Sequence, residues 1–372
     1  MLLFAERHKK IRILRPVKPI ILKETPTYPT YETVAVLGAG MFGMTIAKLL
    51  AVNVKTVLLY SRKPETVAQI NETHQLKGVD LETNIVGTND LEEITTRCTL
   101  IFPIVPSKGF RQIMRQMSPF LKPYHLLIHG TKGLDSSYFT TDKVFSGRIN
   151  VHTISEVIRQ ETSVVRIGCL SGPNLSSEIL AGQPAATVIA SHFKEVILAA
   201  KNVLKGKKFQ VFSTNDIVGA ELAGALKNTI AIGAGLLGGL NMGYNIWALL
   251  ITKGLSEMIH IGKALGANLE PFLGVAGIGD LVATASSTKS RNYTVGYRLA
   301  QGETLSDIEN ELGNELAEGV QTVKVVNELC EFYEVNAPIT KMIYKVLHEN
   351  FELERAIEFL MTYRYVKDVD YL

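Results

Sequence analysis

Six groups of residues in this chain have the types and spacing that chemistry needs. Gly38, Gly40 and Gly43 form a G-x-G-x-x-G run. Lys132 stands in Gly130-Thr-Lys-Gly133, and Gly172 and Asn174 stand in Ser171-Gly-Pro-Asn174. Lys227 interrupts a stripe of small and apolar residues, with Gly224 before it and Ala231 after it. Asp280 and Thr284 belong to Gly277-Ile-Gly-Asp-Leu-Val-Ala-Thr284, and Ser290-Arg291-Asn292 follows shortly after.

Each group suggests a task. A glycine run that follows a strand and opens a helix turns tightly, admits a pyrophosphate and presents free N–H groups to it. A lysine among small residues either snorkels to solvent or is placed where a substrate or nicotinamide ring fits beside the ammonium. Hydride attack on a ketone builds negative charge on oxygen, which a nearby ammonium stabilises and then protonates. Free lysine titrates near about 10.4. Burial and the second cation, Lys132, would lower that value for Lys227, while Asp280 would raise it; sequence sets the signs and not the sum. A carboxylate at Asp280, in an apolar run, calls for a cationic partner. Ser290-Arg291-Asn292 reads either as an N-cap with a surface arginine or as a phosphate grip. Asn174 is expected to cap a helix over 175–180, whose first N–H groups would face an oxygen-rich substrate.

These residues need a scaffold. Residues 33–37 form an unbroken apolar run, as in a strand buried on both faces. Further strands are expected over 54–60, 98–105, 125–129, 164–170, 186–190 and 209–212, with helical patterns such as 110–121 and 195–204 between them. The alternation predicts an α/β, Rossmann-like doubly wound sheet, which holds ligands at its strands' carboxyl ends. Pro103 inside its strand predicts an irregularity there. From residue 216 onward strand patterns stop, and an all-α C-terminal domain is expected, its tail over 322–360 completing the core and a dimer face. The division is therefore a basic arm over 1–30, a dinucleotide-binding domain over 31–215 and a helical substrate domain over 216–372.

The second strand ends in Ser61-Arg62-Lys63-Pro64. An acidic residue at that point would accept from ribose hydroxyls and favour NAD, whereas cations can receive a 2′-phosphate. NADP or NAD is thus the expected cofactor, tilted towards NADP. His125 and His129 share an H-x-x-x-H spacing, but four residues along a strand span too far to ligate one ion. They are read as core or rim histidines, and no metal is expected.

Composition bounds the partners. The chain has 372 residues, 46% of them hydrophobic, and a formal net charge of +3, which gives no reason to expect nucleic acid. The isolated Cys98, Cys169 and Cys330 suggest reduced thiols in a cytoplasmic protein. No apolar run near the start suits a signal peptide or a membrane span, and the glycine-rich run over 233–243 reads as a tightly packed buried helix. The arm carries Arg7, Lys9, Lys10, Arg12, Arg15 and Lys18 against Glu6, and is assigned no function.

Taken in order, GAGMFG, IVPS (104–107), TKG (131–133), SGPN (171–174), ELAGALKN (221–228), GIGDLVAT (277–284), SRN (290–292) and AEGVQT (317–322) resemble the NAD(P)-dependent glycerol-3-phosphate dehydrogenase family over about 33–365. The resemblance implies reversible hydride transfer between NAD(P)H and dihydroxyacetone phosphate, giving sn-glycerol 3-phosphate for phospholipid synthesis, by a cytoplasmic homodimer. It implies Lys227 as proton donor and acceptor, and Lys132 as the group that polarises the carbonyl and contacts the cofactor. Asp280 and Thr284 would hold the lysine and the substrate hydroxyls. Gly172 and Asn174 would contact substrate, and Ser290, Arg291 and Asn292 its phosphate end. Met41, Phe42, Arg62, Ser176, Arg291, Leu316 and Glu318 would contact the cofactor. Met41, Asn174 and Ser176 depart from the family's usual residues, as does the long arm. Two other readings are a hydroxyacid or ketopantoate type of reductase and a catalytically silent nicotinamide sensor. The first would lack Asp280 with the 290–292 cluster, and the second would need neither lysine.

Overall fold

β1 (Thr33–Leu37) shows why the sheet forms: Val34 and Val36 enter one apolar core while Ala35 and Leu37 enter another, all fully buried. A strand covered on both faces needs an apolar residue at every position. In the computed structural model, which describes residues 30–136, 151–313, 317–364 and 367–369, nine further strands follow. They are β2 (Thr56–Tyr60), β3 (Gln75–Leu76), β4 (Val79–Asp80), β5 (Ile85–Thr88), β6 (Leu100–Pro103), β7 (Leu126–His129), β8 (Arg166–Ser171), β9 (Ala185–Ala190) and β10 (Phe209–Thr214). Leu316 and arm residues 1–29 lie outside the described residues.

Eight strands form one sheet in the order β10-β9-β8-β7-β6-β1-β2-β5. β5 through β8 in that order run parallel, β9 runs antiparallel to β8, and β10 is parallel to β9. The strand order reverses between β1 and β6, so a ligand crevice is expected outside their carboxyl ends. The expected strands all appear, most with ends moved by a residue or two. β5 and the β3–β4 hairpin were not anticipated. The β6–β7 pairing runs through Leu100–Leu126 and Ile101–Leu127 and stops short of Pro103, which has no N–H to give.

Beyond β10 the described residues are helical. The first helix there, Ile217–Gly239, starts where Asp216 accepts from the Gly219 N–H, and its second oxygen accepts from Asn268 N at 2.9 Å. The helix is buried almost end to end. Glycines let the helix Arg291–Ala300 meet it backbone to backbone: a Cβ on Gly235 would lie 2.0 Å from Tyr293 O, and one on Gly296 2.0 Å from Ile232 O. This close crossing holds Asn292 above Asn228. Among the described residues no helix is long and apolar enough to cross a membrane.

Candidate active site

The glycine turn has the shape its sequence predicts. Gly38 has φ +113°, and a Cβ there would come within 2.4 Å of Ile104 O. A Cβ on Gly43 would lie 1.8 Å from Gly38 O, so the third glycine lets the helix Met41–Ala51 close onto the turn. Gly40, the residue before that helix, has no atom within 4 Å of a notional Cβ. Two glycines are thus required by the protein's own packing, and the middle one leaves its space to a ligand. That fits a pyrophosphate at the helix N-terminus. From there a cleft of about 420 Å³ runs past Ser61, Arg62, Lys63 and Lys77, and none of the described residues that line it is acidic.

Lys132 and Lys227 meet on one carboxylate. Lys132 follows the carboxyl end of β7, and its Nζ donates to Asp280 Oδ2 at 2.7 Å and to Gly172 O at 2.6 Å. Lys227, mid-way along the long helix, donates to Asp280 Oδ1 at 2.8 Å and also to Thr284 Oγ1. Asp280 opens the helix Asp280–Ala285 directly after a wide π-helical turn, Val275–Gly279, and is almost fully buried. Thr284, one turn on, donates back to Asp280 Oδ1 at 3.2 Å.

Burial is the largest single influence on each partner, but it prevails only at Lys227. It pulls the Lys227 ammonium down; Asp280 pulls back, Lys132 adds to the fall, and the balance is about 8. Burial would raise Asp280, yet the charges of Lys132 and Lys227 outweigh it and hold the carboxyl below its ordinary range. The signs read from sequence were right, and the geometry supplies their sum.

Around this centre a chain of amides sets the backbone. Asn228 donates to Lys132 O at 3.0 Å, Asn292 donates to Asn228 Oδ1 at 2.9 Å, and Gly319 N donates to Asn292 Oδ1 at 3.0 Å. Asn228 was passed over as a site residue, although its place beside Lys227 in ALKN was a signal. Asn292 lies at the site with its amide already engaged by the protein. Ser290 caps its helix by accepting from Tyr293 N, and Arg291, exposed, is that helix's first residue.

Asn174 corrects an expectation. The short helix Ser176–Leu180 begins after Leu175 without a side-chain cap, and Asn174 turns away to donate to Gly172 O and Thr187 Oγ1, each at 3.1 Å. The close β8–β9 pairing draws it inward. Its Oδ1 is buried without a hydrogen-bond partner, an acceptor beside the Lys132 contact. Ser176 lies on the short helix, which packs against Met41–Ala51. Met41 is exposed, and Phe42 lies over Gly130, whose notional Cβ would be 3.0 Å from the Phe42 ring. Glu318 accepts from Ser107 N at 3.2 Å, joining the helices Glu318–Phe332 and Ser107–Met117 across the crevice. His125 and His129 are fully buried on β7 and its approach, and His125 is held by Lys122 N and Thr95 O.

Comparison with known proteins identifies the family. The family described as NAD-dependent glycerol-3-phosphate dehydrogenase matches with its N-terminus over residues 33–197 and its C-terminus over 216–358. The chain belongs to that family. Its reaction interconverts dihydroxyacetone phosphate and sn-glycerol 3-phosphate, with NAD(P)H and NAD(P)+ as the redox pair. The glycerol-3-phosphate dehydrogenase [NAD(P)+] of Ectopseudomonas mendocina is 39% identical over 345 residues, covering 92% of this chain and 97% of the relative. The crystal structure of glycerol-3-phosphate dehydrogenase from Coxiella burnetii is similar with a TM-score of 0.80 and 29% identity, covering 90% of this chain and all of the other. A ketopantoate reductase from Ralstonia eutropha shares the fold alone, at 14% identity over 85% of this chain and 97% of its own, with a TM-score of 0.53. The enzyme is therefore an oxidoreductase of the dehydrogenase type, as the sequence motifs implied.

Proposed function

We propose that Lys227 is the proton donor in ketone reduction and the acceptor in alcohol oxidation, with Lys132 as electrostatic partner and Asp280 as their shared anchor. The observation that carries this reading is the single buried carboxylate with one oxygen on each lysine. Bound nicotinamide supplies or takes the hydride. As negative charge grows on the carbonyl oxygen of dihydroxyacetone phosphate, an N–H of Lys227 stabilises it and then delivers the proton. Asp280 and Thr284 keep that ammonium aimed, and Lys132 adds a second positive charge. Asp280 and Thr284 also hold the substrate's hydroxyls, Gly172 and Asn174 contact the substrate, and Ser290, Arg291 and Asn292 take its phosphate end.

Gly38, Gly40, Met41, Phe42 and Gly43 would hold the cofactor's pyrophosphate side, and Ser176, Arg291, Leu316 and Glu318 would contact the cofactor as the family resemblance implies. Arg62 and Lys63 at the end of β2, together with Lys77 on the β3–β4 hairpin, favour the 2′-phosphate of NADP. A domain boundary near residue 216, a homodimer, a cytoplasmic setting and a supply role in phospholipid synthesis complete the proposal, on the strength of the family resemblance.

The test is a spectrophotometric assay of the purified chain with dihydroxyacetone phosphate, run separately with NADH and NADPH. Loss of reduced-nicotinamide absorbance, faster with NADPH at limiting cofactor, is expected. Cofactor binding without turnover would sink the catalytic roles.

A further inference from the structure

We infer that Glu221 is a positioning residue for this reaction, a clamp that fixes the helix carrying Lys227 against the segment carrying Lys132. The inference rests on the roles proposed above for the two lysines. Glu221 lies six residues before Lys227, about 9 Å along the same helix. Its carboxylate leaves the helical domain and enters the sheet domain. Oε1 accepts from Ser155 N at 2.6 Å, and Oε2 from Ser155 Oγ at 2.7 Å. Ser155 is the second residue of the helix Ile154–Glu161, so the anion docks where that helix presents free N–H groups and the positive end of its dipole. Oε1 also lies 3.0 Å from His129 Nε2, outside hydrogen-bond alignment. His129 ends β7, three residues before Lys132. Glu221, Ser155 and His129 are all buried.

Three residues after Lys132, Asp135 is held in turn by Arg111, whose Nε and a terminal nitrogen donate to Asp135 Oδ2 at 2.9 and 2.7 Å. The lysine segment is therefore fastened by buried charged groups on both sides. Simple packing does not call for this. A carboxylate loses hydration on burial, and an aliphatic side chain would fill the same space at lower cost. What the carboxylate adds is direction: its hydrogen bonds tolerate little displacement of the long helix against Ser155, and the backbone pair Asp135–His152 ties the start of Ser155's helix to the Lys132 segment. Asp280 reaches both ammoniums at once only while that displacement is small.

Glu221→Gln, Glu221→Ala and Ser155→Ala in the full chain test the clamp. Steady-state reduction of dihydroxyacetone phosphate gives kcat and KM, and the fluorescence of bound NADPH gives its Kd. In Glu221→Ala kcat is expected to fall tenfold or more, with KM and Kd changed less than about twofold. Glu221→Gln, which keeps the shape and one acceptor, recovers part of the loss, and Ser155→Ala falls between it and wild type. A role in stability alone would lower the unfolding midpoint while kcat per folded molecule stays at the wild-type value; that result overturns the clamp. If Glu221→Ala does not fold, wild-type kcat in both other variants overturns it equally. Absent turnover in the wild-type chain removes the functional reading and the clamp together.

Discussion

Lys227 Nζ stands 2.8 Å from Asp280 Oδ1, and in that buried pair the ammonium is the group whose proton is loosened. Burial accounts for most of the fall, and the balance near about 8 places the group where it can give and regain a proton close to neutrality. The two directions of the reaction then need opposite forms of one side chain. Ketone reduction uses the ammonium and should fall as pH rises through about 8, whereas alcohol oxidation uses the free amine and should rise over the same interval. Lys227→Ala should lower turnover by roughly 10²–10⁴-fold in both directions. NADPH affinity, read by fluorescence titration, should hardly change. Near-normal turnover in that variant would take Lys227 out of the mechanism.

Asp280→Asn tests the anchor separately. The substitution removes the charge that most strongly raises Lys227 while leaving its burial and the charge of Lys132 in place. The pH at which reduction is half lost should therefore move down, not up. Two ammoniums would also face each other without a counter-charge, a defect on the order of 3–5 kcal/mol when one partner of a buried pair is removed. Urea denaturation beside the pH–rate curve reads both effects. An unmoved pH midpoint would show that Asp280 does not govern the lysine's proton.

The lysine centre was legible because its residues stand in short motifs whose chemistry is local: a strand end for Lys132, a small-residue stripe for Lys227, a glycine-flanked acid for Asp280. The sheet's central strands β1, β6 and β7 were equally legible, being apolar at nearly every position. The parts that were missed depend on long-range closure. β5, with the exposed Val86 and a glycine among its four residues, lacks a strong strand pattern. Asn174 has the residue type of an N-cap, but β9 beside it offers Thr187, and tertiary contact won over local preference. Lys77 occupies a left-handed turn position, φ 52°, at the tip of a two-residue-per-strand hairpin too short to leave a periodic signal. Glu221 reads as an ordinary member of a helical run, and only the folded chain brings Ser155 to it.

Arg62, Lys63 and Lys77 line one end of the cleft, and the 2′-phosphate site proposed there gives a cofactor test that does not involve the reacting atoms. Lys77→Ala and Arg62→Ala should each raise the Kd for NADPH by roughly tenfold, the scale of one charge-assisted hydrogen bond. The Kd for NADH should shift far less, because it has no 2′-phosphate to lose. Raising the salt concentration should weaken NADPH binding to the unaltered chain more than NADH binding. Equal effects on both cofactors would mean that these cations touch the shared part of the molecule.

Glu257 gives a stability prediction remote from the site. Its buried carboxyl accepts from Ile339 N at 2.6 Å and from Thr340 N and Oγ1 at 3.0 Å each, at the start of the helix Pro338–His348. Burial raises it from 4.5 to about 7 against the pull of those donors. A folded-state value above the unfolded one means that the folded chain binds the proton more tightly. The contribution is complete below about 4.5 and is lost as pH rises through about 7, a change of roughly 3 kcal/mol. Glu257→Gln is neutral throughout and carries no such slope, whatever constant offset its amide introduces against the backbone donors. Urea midpoints taken from pH 5 to 8 should therefore show the variant gaining on the wild-type chain as pH rises. Parallel curves would mean that the carboxyl is equally ionised in the folded and unfolded chains.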